Sequence, residues 1–280
     1  MSNRGLPAII GGTGLDWSEN SPLQNARDER VRTRFGTALI THATFQNRPL
    51  VFLHRHAAPD AERANTERVP PHSINYRANI AALKQLGVTA IFASTAVGSL
   101  RREWKPGTLV LLDDFLDLTS SRAKTFFDAR PIHIDVTQPY CPHARSFLLA
   151  AARELNTPLQ DGGTYLCTDG PRFETPAEIR LFASWGADVV GMTGVPEVVL
   201  AREAQISYAG LSIVTNLAAG IADAPLTQGE VLEAMRVAMP RVSNLLLQAA
   251  LGYGDDPQVL ARRATREFAA PGFEPDSLIA

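Results

Sequence analysis

The stretch SINYRANIAALKQLGVTAIFASTAVGSL, Ser73–Leu100, decides the fold class. In its first half Ile74, Ala78, Ile80, Ala81 and Leu83 recur near helical spacing. They mark the buried stripe of a helix over Ser73–Leu86. Gly87 follows, a residue suited to the left-handed turn that closes a helix. The second half changes character: Ala90–Ser94 is short and continuously apolar, as a strand covered on both faces is. Helix and buried strand in alternation define an α/β chain.

The same alternation runs outward in both directions. Short apolar segments bounded by glycines or polar turns read as strands at Ala8–Ile10, Ala38–Thr41, Leu50–Leu53, Thr108–Leu112, Val189–Gly191 and Ser212–Thr215. Helices are expected at Ala144–Leu155, Pro176–Trp185, Pro196–Ala204 and Gln228–Leu251. Thr175 is placed to cap the helix that begins at Pro176. Pro240 is expected to bend or split the last helix. Ala57–Val69 is charged and aperiodic, so a mobile loop is expected there. The tail after Gly252 is polar and carries Pro257, Pro271 and Pro275, as a loosely packed arm or covering segment would. The expected division is one domain over 1–251 and a C-terminal extension over 252–280.

Composition narrows the function. The 280 residues are 45% hydrophobic with a net charge of −2, which fits neither a disordered chain nor one built for nucleic acid or an anionic membrane. No apolar run reaches a spanning length. Cys141 and Cys167 are the only cysteines, too few for a disulfide framework, and point to a reducing cytoplasm. The six histidines form neither HExxH nor a finger spacing, so no metal is expected.

Several motifs end strands. IIGGTGLD, Ile9–Asp16, gathers free backbone N–H groups and the Thr13 hydroxyl, which suits either an anion cradle or an ordinary tight turn. A dinucleotide fingerprint would need a third glycine where Trp17 stands. FLHRHA, Phe52–Ala57, ends a strand with Arg55, whose planar fork fits phosphate, and His56, which could donate a further bond. The alternative is a solvated strand end. In IFASTAVGSL, Ile91–Leu100, small hydroxyl residues lie where open α/β sheets bind ligands, though each could be a local backbone cap. The glycine spacing is not that of a serine-hydrolase elbow.

TDGPRFETPAEIR (Thr168–Arg180), GMTGVPEVVLAREA (Gly191–Ala204) and SIVTNLAAG (Ser212–Gly220) are three polar islands beside apolar runs. Glu174 and Asn216 are a carboxylate and an amide able to read the edge of a purine. Met192 could lie flat against a sugar or simply fill core. Thr193 could bond phosphate. Glu197 and Arg202 read as an ion pair, buried or exposed, with Glu197 a weaker catalytic candidate.

These stretches, together with GGTGL, the Arg55–His56 pair, Ile74–Leu100 and HIDVTQPYCPHAR (His133–Arg145), resemble the trimeric purine nucleoside phosphorylase and methylthioadenosine phosphorylase family. The resemblance spans almost all of residues 8–220. It implies a single α/β domain with a mixed central β-sheet flanked by helices. The implied reaction is phosphorolysis of an N-glycosidic bond. A small-molecule nucleoside and inorganic phosphate are the expected partners, with phosphate as co-substrate, no other cofactor, and assembly as a homotrimer. By position Thr13, Arg55, His56, Thr95 and Thr193 match phosphate contacts, and Ala96 a backbone contact. Met192 matches the residue under the ribose and Phe173 an aromatic beside the base.

The base is read from Glu174 and Asn216. Methylthioadenosine phosphorylases look like TDYD where this chain has Thr215-Asn216-Leu217-Ala218, and carry a small residue where it has Glu174. A 6-oxopurine presents N1–H to an ionised Glu174, and O6 or N7 to the Asn216 amide. Adenine would oppose lone pair to lone pair, a mismatch of roughly 1–3 kcal/mol when buried. The expected substrates are therefore 6-oxopurine nucleosides, S-methyl-5′-thioinosine or inosine and guanosine. A 5′-methylthioadenosine phosphorylase is one alternative, and a non-catalytic nucleoside- or phosphate-binding protein another. Gln228 and His133 match positions near the 5′ end of the nucleoside, His133 reaching a neighbouring subunit. The Ala57–Val69 loop is longer than the family's usual one.

Overall fold

The architecture comes from a computed structural model that describes residues 4–12, 22–58, 68–222, 228–265 and 279. The twelve-residue strand β5 (Val88–Ser99) is its axis. Strand β11 (Ser207–Leu217) runs parallel along one edge of β5, paired from Ala90 to Ser99 with one slip in register. The other edge is shared. Strand β1 (Leu6–Gly11) lies parallel beside its first half and ends opposite Ala93. Strand β10 (Val189–Gly191) joins antiparallel at Gly98 and Ser99. Between them, Ser94–Val97 have no strand partner on that edge among the described residues.

The sheet continues outward on both sides. Beyond β1 come β4 (Arg48–His54), β3 (Gly36–Phe45) and the edge strand β2 (Gln24–Thr33). Beyond β10 come β9 (Thr164–Cys167) and β7 (Asp114–Asp117), while β6 (Leu109–Leu111) and β8 (Gln160–Asp161) extend from β11. Parallel and antiparallel pairs are mixed, as expected. Helices α1 (Tyr76–Gln85) and α4 (Glu197–Glu203) close one face over a core that includes Ile80, Leu83, Val198 and Leu200. Helices α2 (Pro142–Glu154) and α5 (Gln228–Gly252) close the other over Leu148, Leu245 and Leu246. A smaller core around Ile179 and Phe182 seats α3 (Pro176–Ser184). No described helix is long and apolar enough to cross a membrane.

All seven expected strands and all five helices are present, with shifted ends. Helix α1 starts at Tyr76 because the Asn75 side chain accepts the Ala78 N–H as a cap. Pro71–Ser73 form a separate 3-10 turn. Gly87 takes a positive φ of 76° just past α1 and donates to the Lys84 carbonyl. Thr175 caps α3 in a reciprocal box with Glu178.

Pro240 does not split α5, which is one helix over 25 residues. Proline removes a single N–H from the ladder, and the buried Met239, Val242 and Leu245 hold both halves against the sheet. Strand β2 is absent from the expected set because its residues are mostly charged and exposed, as those of an edge strand often are. The Ala57–Val69 loop lies mainly outside the described residues; its ends are joined by a bridge from Ala57 to Arg68. After α5, Tyr253, Ala261 and Ala264 are buried, so the described start of the tail covers the body.

Glu203 at the end of α4 is a buried carboxyl, 4% exposed. Burial pushes it up to about 7, against the lowering effect of bonds from the Phe126 N–H and the Thr125 hydroxyl. The folded state then binds a proton that the unfolded state releases between an ordinary 4.5 and about 7. Stability therefore falls as pH rises through that window, by on the order of 3 kcal/mol. Glu203→Gln keeps the shape and both bonding positions without the titration. Denaturation midpoints at about pH 5 and about pH 8 should fall much less in the variant than in the wild type; equal falls would contradict this.

Candidate active site

The break along β5 is where the chain gathers its polar islands. Ala96 and Val97 of the unpaired edge, with Gly98 where β10 joins, form one wall of a cavity. Gly191, Met192 and Thr193, leaving β10, form the facing wall. Phe173 and Glu174 before α3, Asn216 and Ala218 at the end of β11, and His56 after β4 complete the lining identified from sequence. Pro71, Val190, Thr215, Ala219 and Val231 also line it and were not singled out in the sequence. The cavity sits at strand ends beside a change of sheet connection, the usual place for ligands in open α/β sheets.

Asn216 is aimed by a bulge. The β5–β11 register slips between Val214 and Asn216, leaving Thr215 as the extra residue. The orientation of the amide follows from its neighbours. Nδ2 donates to the Leu217 carbonyl at 3.0 Å, and Oδ1 accepts from the Thr215 hydroxyl at 2.8 Å. A flipped amide would set oxygen against that carbonyl. One Nδ2 proton remains for a ligand. Glu174 is held by the Thr168 hydroxyl at 2.9 Å, and burial raises its carboxyl above the ordinary range. Glu178 raises it further, while Thr168 and Arg172 work the other way.

Arg55, next to His56 in the chain, is fully enclosed and is not among the lining residues. Its Nε and Nη2 donate to the two oxygens of Glu197, each at 2.7 Å, and Nη1 donates to the Ser94 carbonyl at 2.7 Å. Tyr208 gives its hydroxyl to Glu197 as well. Burial alone would lower the Arg55 pKa, but Glu197 raises it overall, so the guanidinium stays charged. Ser94 lies on the unpaired edge of β5, so Arg55 supplies a donor that a neighbouring strand would otherwise give. Three of the five guanidinium N–H groups are used in these bonds. A Cβ on Gly12 would stand 3.0 Å from Nη1, so glycine there keeps the cation approachable.

The expected Glu197–Arg202 pair does not form. Five positions along a helix place the two side chains on different sides, outside the three- and four-residue spacings that meet. Arg202 instead donates to the Gln138 carbonyl. His56 also differs from expectation. Its Nδ1 lies 2.9 Å from the Val69 carbonyl, which only accepts, so the ring proton is on Nδ1. Burial lowers its pKa to about 4, helped by Arg55 and Arg68, despite the Val69 bond. The neutral ring therefore offers Nε2 as an acceptor.

Other expected residues take varied positions. Thr193 lines the cavity, and its backbone N–H donates to the buried Tyr165 hydroxyl. Thr95 is buried with its hydroxyl 3.0 Å from that of Ser212, its partner on β11, and is not among the lining residues. Thr13 lies outside the described residues. Met192 packs against Gly170, where a Cβ would stand 2.5 Å from its sulfur. Phe173 is half exposed at the rim. The backbone of Gln228 begins α5, and its side chain lies outside the described residues. His133 is exposed and does not line this cavity. Among the described residues no group of three His, Cys, Asp or Glu could hold a metal ion.

Residues 8–251 match the model of the phosphorylase superfamily. A probable 6-oxopurine nucleoside phosphorylase of Dictyoglomus turgidum is 44% identical over 269 residues, 95% of this chain and 98% of that one. A probable S-methyl-5′-thioinosine phosphorylase of Methanopyrus kandleri is 44% identical over 239 residues, covering 85% and 89%. Among solved structures, a methylthioadenosine phosphorylase from an Antarctic soil metagenomic library has a TM-score of 0.84 at 30% identity, covering 99% and 96%.

The buried pair makes a direct test of the site's construction. Glu197→Ala leaves the Arg55 charge enclosed without its partner and should cost roughly 3–5 kcal/mol in chemical denaturation. A loss below about 1 kcal/mol, the scale of an exposed pair, would contradict the assignment.

Proposed function

The chain belongs to the phosphorylase superfamily, and from that membership we propose that it cleaves 6-oxopurine nucleosides with inorganic phosphate. The carrying observation is the fixed amide of Asn216, which keeps one N–H unused on a residue that lines the same cavity as Glu174. Ionised Glu174 accepts N1–H of the base, and Asn216 donates to N7 or O6. The 44% identical relatives named for 6-oxopurine and methylthioinosine substrates support the same reading.

The reaction asks little covalent chemistry of the protein. As the bond from the anomeric carbon to N9 breaks, its electron pair goes to the base. A phosphate oxygen then bonds the same carbon, giving a ribose 1-phosphate, and the base anion takes a proton from phosphate or solvent to leave as free base. Asn216 stabilises charge gathering on the base, and Met192 supports the sugar. The remaining N–H groups of Arg55, the Thr193 hydroxyl and the backbone at Ala96 serve phosphate, with Thr95 and Thr13 completing the set. Neutral His56 accepts from a phosphate hydroxyl. Phosphate is the co-substrate, and the step calls for no metal or redox cofactor; undiminished turnover in a chelator checks this.

Val231 brings an apolar surface to the cavity one helical turn beyond Gln228. This favours a methylthio group at the 5′ position, and thus S-methyl-5′-thioinosine among the 6-oxopurine nucleosides. We assign Gln228, and His133 of a neighbouring subunit, to that end of the substrate. Leu181 and Trp185, 46% and 51% exposed one turn apart on α3, support self-association, and we propose a homotrimer. A sedimenting mass other than three chains would rule it out. Two free, buried cysteines suit a cytoplasmic protein; periplasmic or secreted protein in a fractionated native host would argue otherwise.

Parallel kinetics on methylthioinosine, inosine, guanosine and methylthioadenosine test the substrate. The 6-oxopurines should be preferred by roughly tenfold or more, from the cost of the mismatched pair. Faster turnover of methylthioadenosine would point to the alternative activity, and no phosphate-dependent release of base to a binding protein. Asn216→Asp should move the ratio toward 6-aminopurines while lowering overall activity, since its carboxylate meets the Leu217 carbonyl; an unchanged ratio would count against the assigned role.

A further inference from the structure

Arg122 is the most heavily bonded side chain near the cavity, yet it does not line it. Its side chain is 2% exposed. Nη1 donates to the Val195 carbonyl at 2.6 Å, and Nη2 to those of Met192 at 2.6 Å and Asp169 at 2.9 Å. Nη2 also lies 3.3 Å from the Thr168 carbonyl. These acceptors belong to two loops. Thr168 and Asp169 begin the loop that ends in Glu174, and Met192 and Val195 belong to the loop after β10. One face of the guanidinium lies over the Tyr76 ring, 5.1 Å from its centroid.

The two loops carry different halves of the substrate site. Thr168 takes an Arg122 N–H on its carbonyl and gives its own hydroxyl to Glu174. Met192 takes another on its carbonyl, and the next residue is Thr193. The loops also touch directly where Gly170 meets Met192. We propose that Arg122 is a positioning residue that fixes the distance between the base-reading loop and the sugar–phosphate loop. A planar fork reaches carbonyls on both loops at once; a lysine ammonium is a single point of charge. The inference rests on the phosphorolysis proposed above. It adds that each half-site binds on its own and that Arg122 brings them into reactive register. A displacement near 1 Å between reacting groups costs about 100-fold in rate.

The test compares wild type, Arg122→Lys and Arg122→Ala. It measures phosphate-dependent hypoxanthine release from S-methyl-5′-thioinosine and from inosine, the KM for phosphate, and hypoxanthine affinity by calorimetry. Arg122→Lys should lose about 100-fold in kcat, with the phosphate KM and hypoxanthine Kd within about threefold of wild type. Arg122→Ala should regain about tenfold in kcat with millimolar guanidinium chloride, and nothing with ammonium chloride at equal ionic strength, because only guanidinium restores the fork. Folded variants with unchanged kcat would overturn the inference, as would a loss confined to hypoxanthine affinity. Failure of both variants to fold would also overturn it, since the role would then lie in folding and not in loop spacing. An inactive wild type overturns the phosphorolysis reading together with this one, whereas a failure among the variants leaves that reading standing.

Discussion

Among the described residues Ser94–Val97 run beside a strand on one edge only, and this constraint shapes the site. A sheet interior leaves no room for a ligand, because every edge is taken by a neighbour. Here β1 has ended and β10 has not yet joined. The exposed backbone of that gap is partly satisfied from within, by Arg55 on the Ser94 carbonyl. The rest faces the cavity, where a ligand can take it up. Glycine at 98 and alanine at 96 keep the wall low. The same gap thus brings a buried cation to the Ser94 carbonyl.

That cation is less free than its sequence context suggests. Glu197 takes its Nε and Nη2, and Tyr208 steadies Glu197 in turn. A buried pair of this kind is weak evidence for net stability, but breaking it is costly. Its value at this place is geometric: the fork is immobile and its remaining donors are prealigned. His56 is neutral beside it. This end of the site therefore combines one compensated cation with the acceptor Nε2 of a neutral histidine.

Much of this was legible in the sequence because local chemistry dictated it. Continuous apolar strands, the Thr175 cap and Gly87 all follow from short-range rules, whereas the Asn75 cap that delays α1 to Tyr76 went unread. Glu174 and Asn216 stood out because polar residues interrupt apolar runs there. What stayed hidden depended on pairing between distant segments. Strand β2, half of it charged, pairs among the described strands with β3 alone and shows no apolar run. Glu197 was matched to Arg202 by proximity in sequence, though its partner lies 142 residues away. The face taken by Thr95 depends on its register with Ser212. Arg122, in the polar run SSRAK, gave no sign of burial. The bulge at Thr215, which aims Asn216, is a property of two strands and not of either one.

The central claim is that Glu174 and Asn216 make this cavity a reader of 6-oxopurines. Binding of free base tests it without the complication of turnover. Calorimetric titration of the wild type with hypoxanthine and with adenine, at neutral pH and saturating phosphate, compares two bases that differ in what N1 and the 6-position offer. The account predicts tighter binding of hypoxanthine by roughly tenfold or more, from one buried mismatch with adenine. Equal affinities, or tighter binding of adenine, would contradict it.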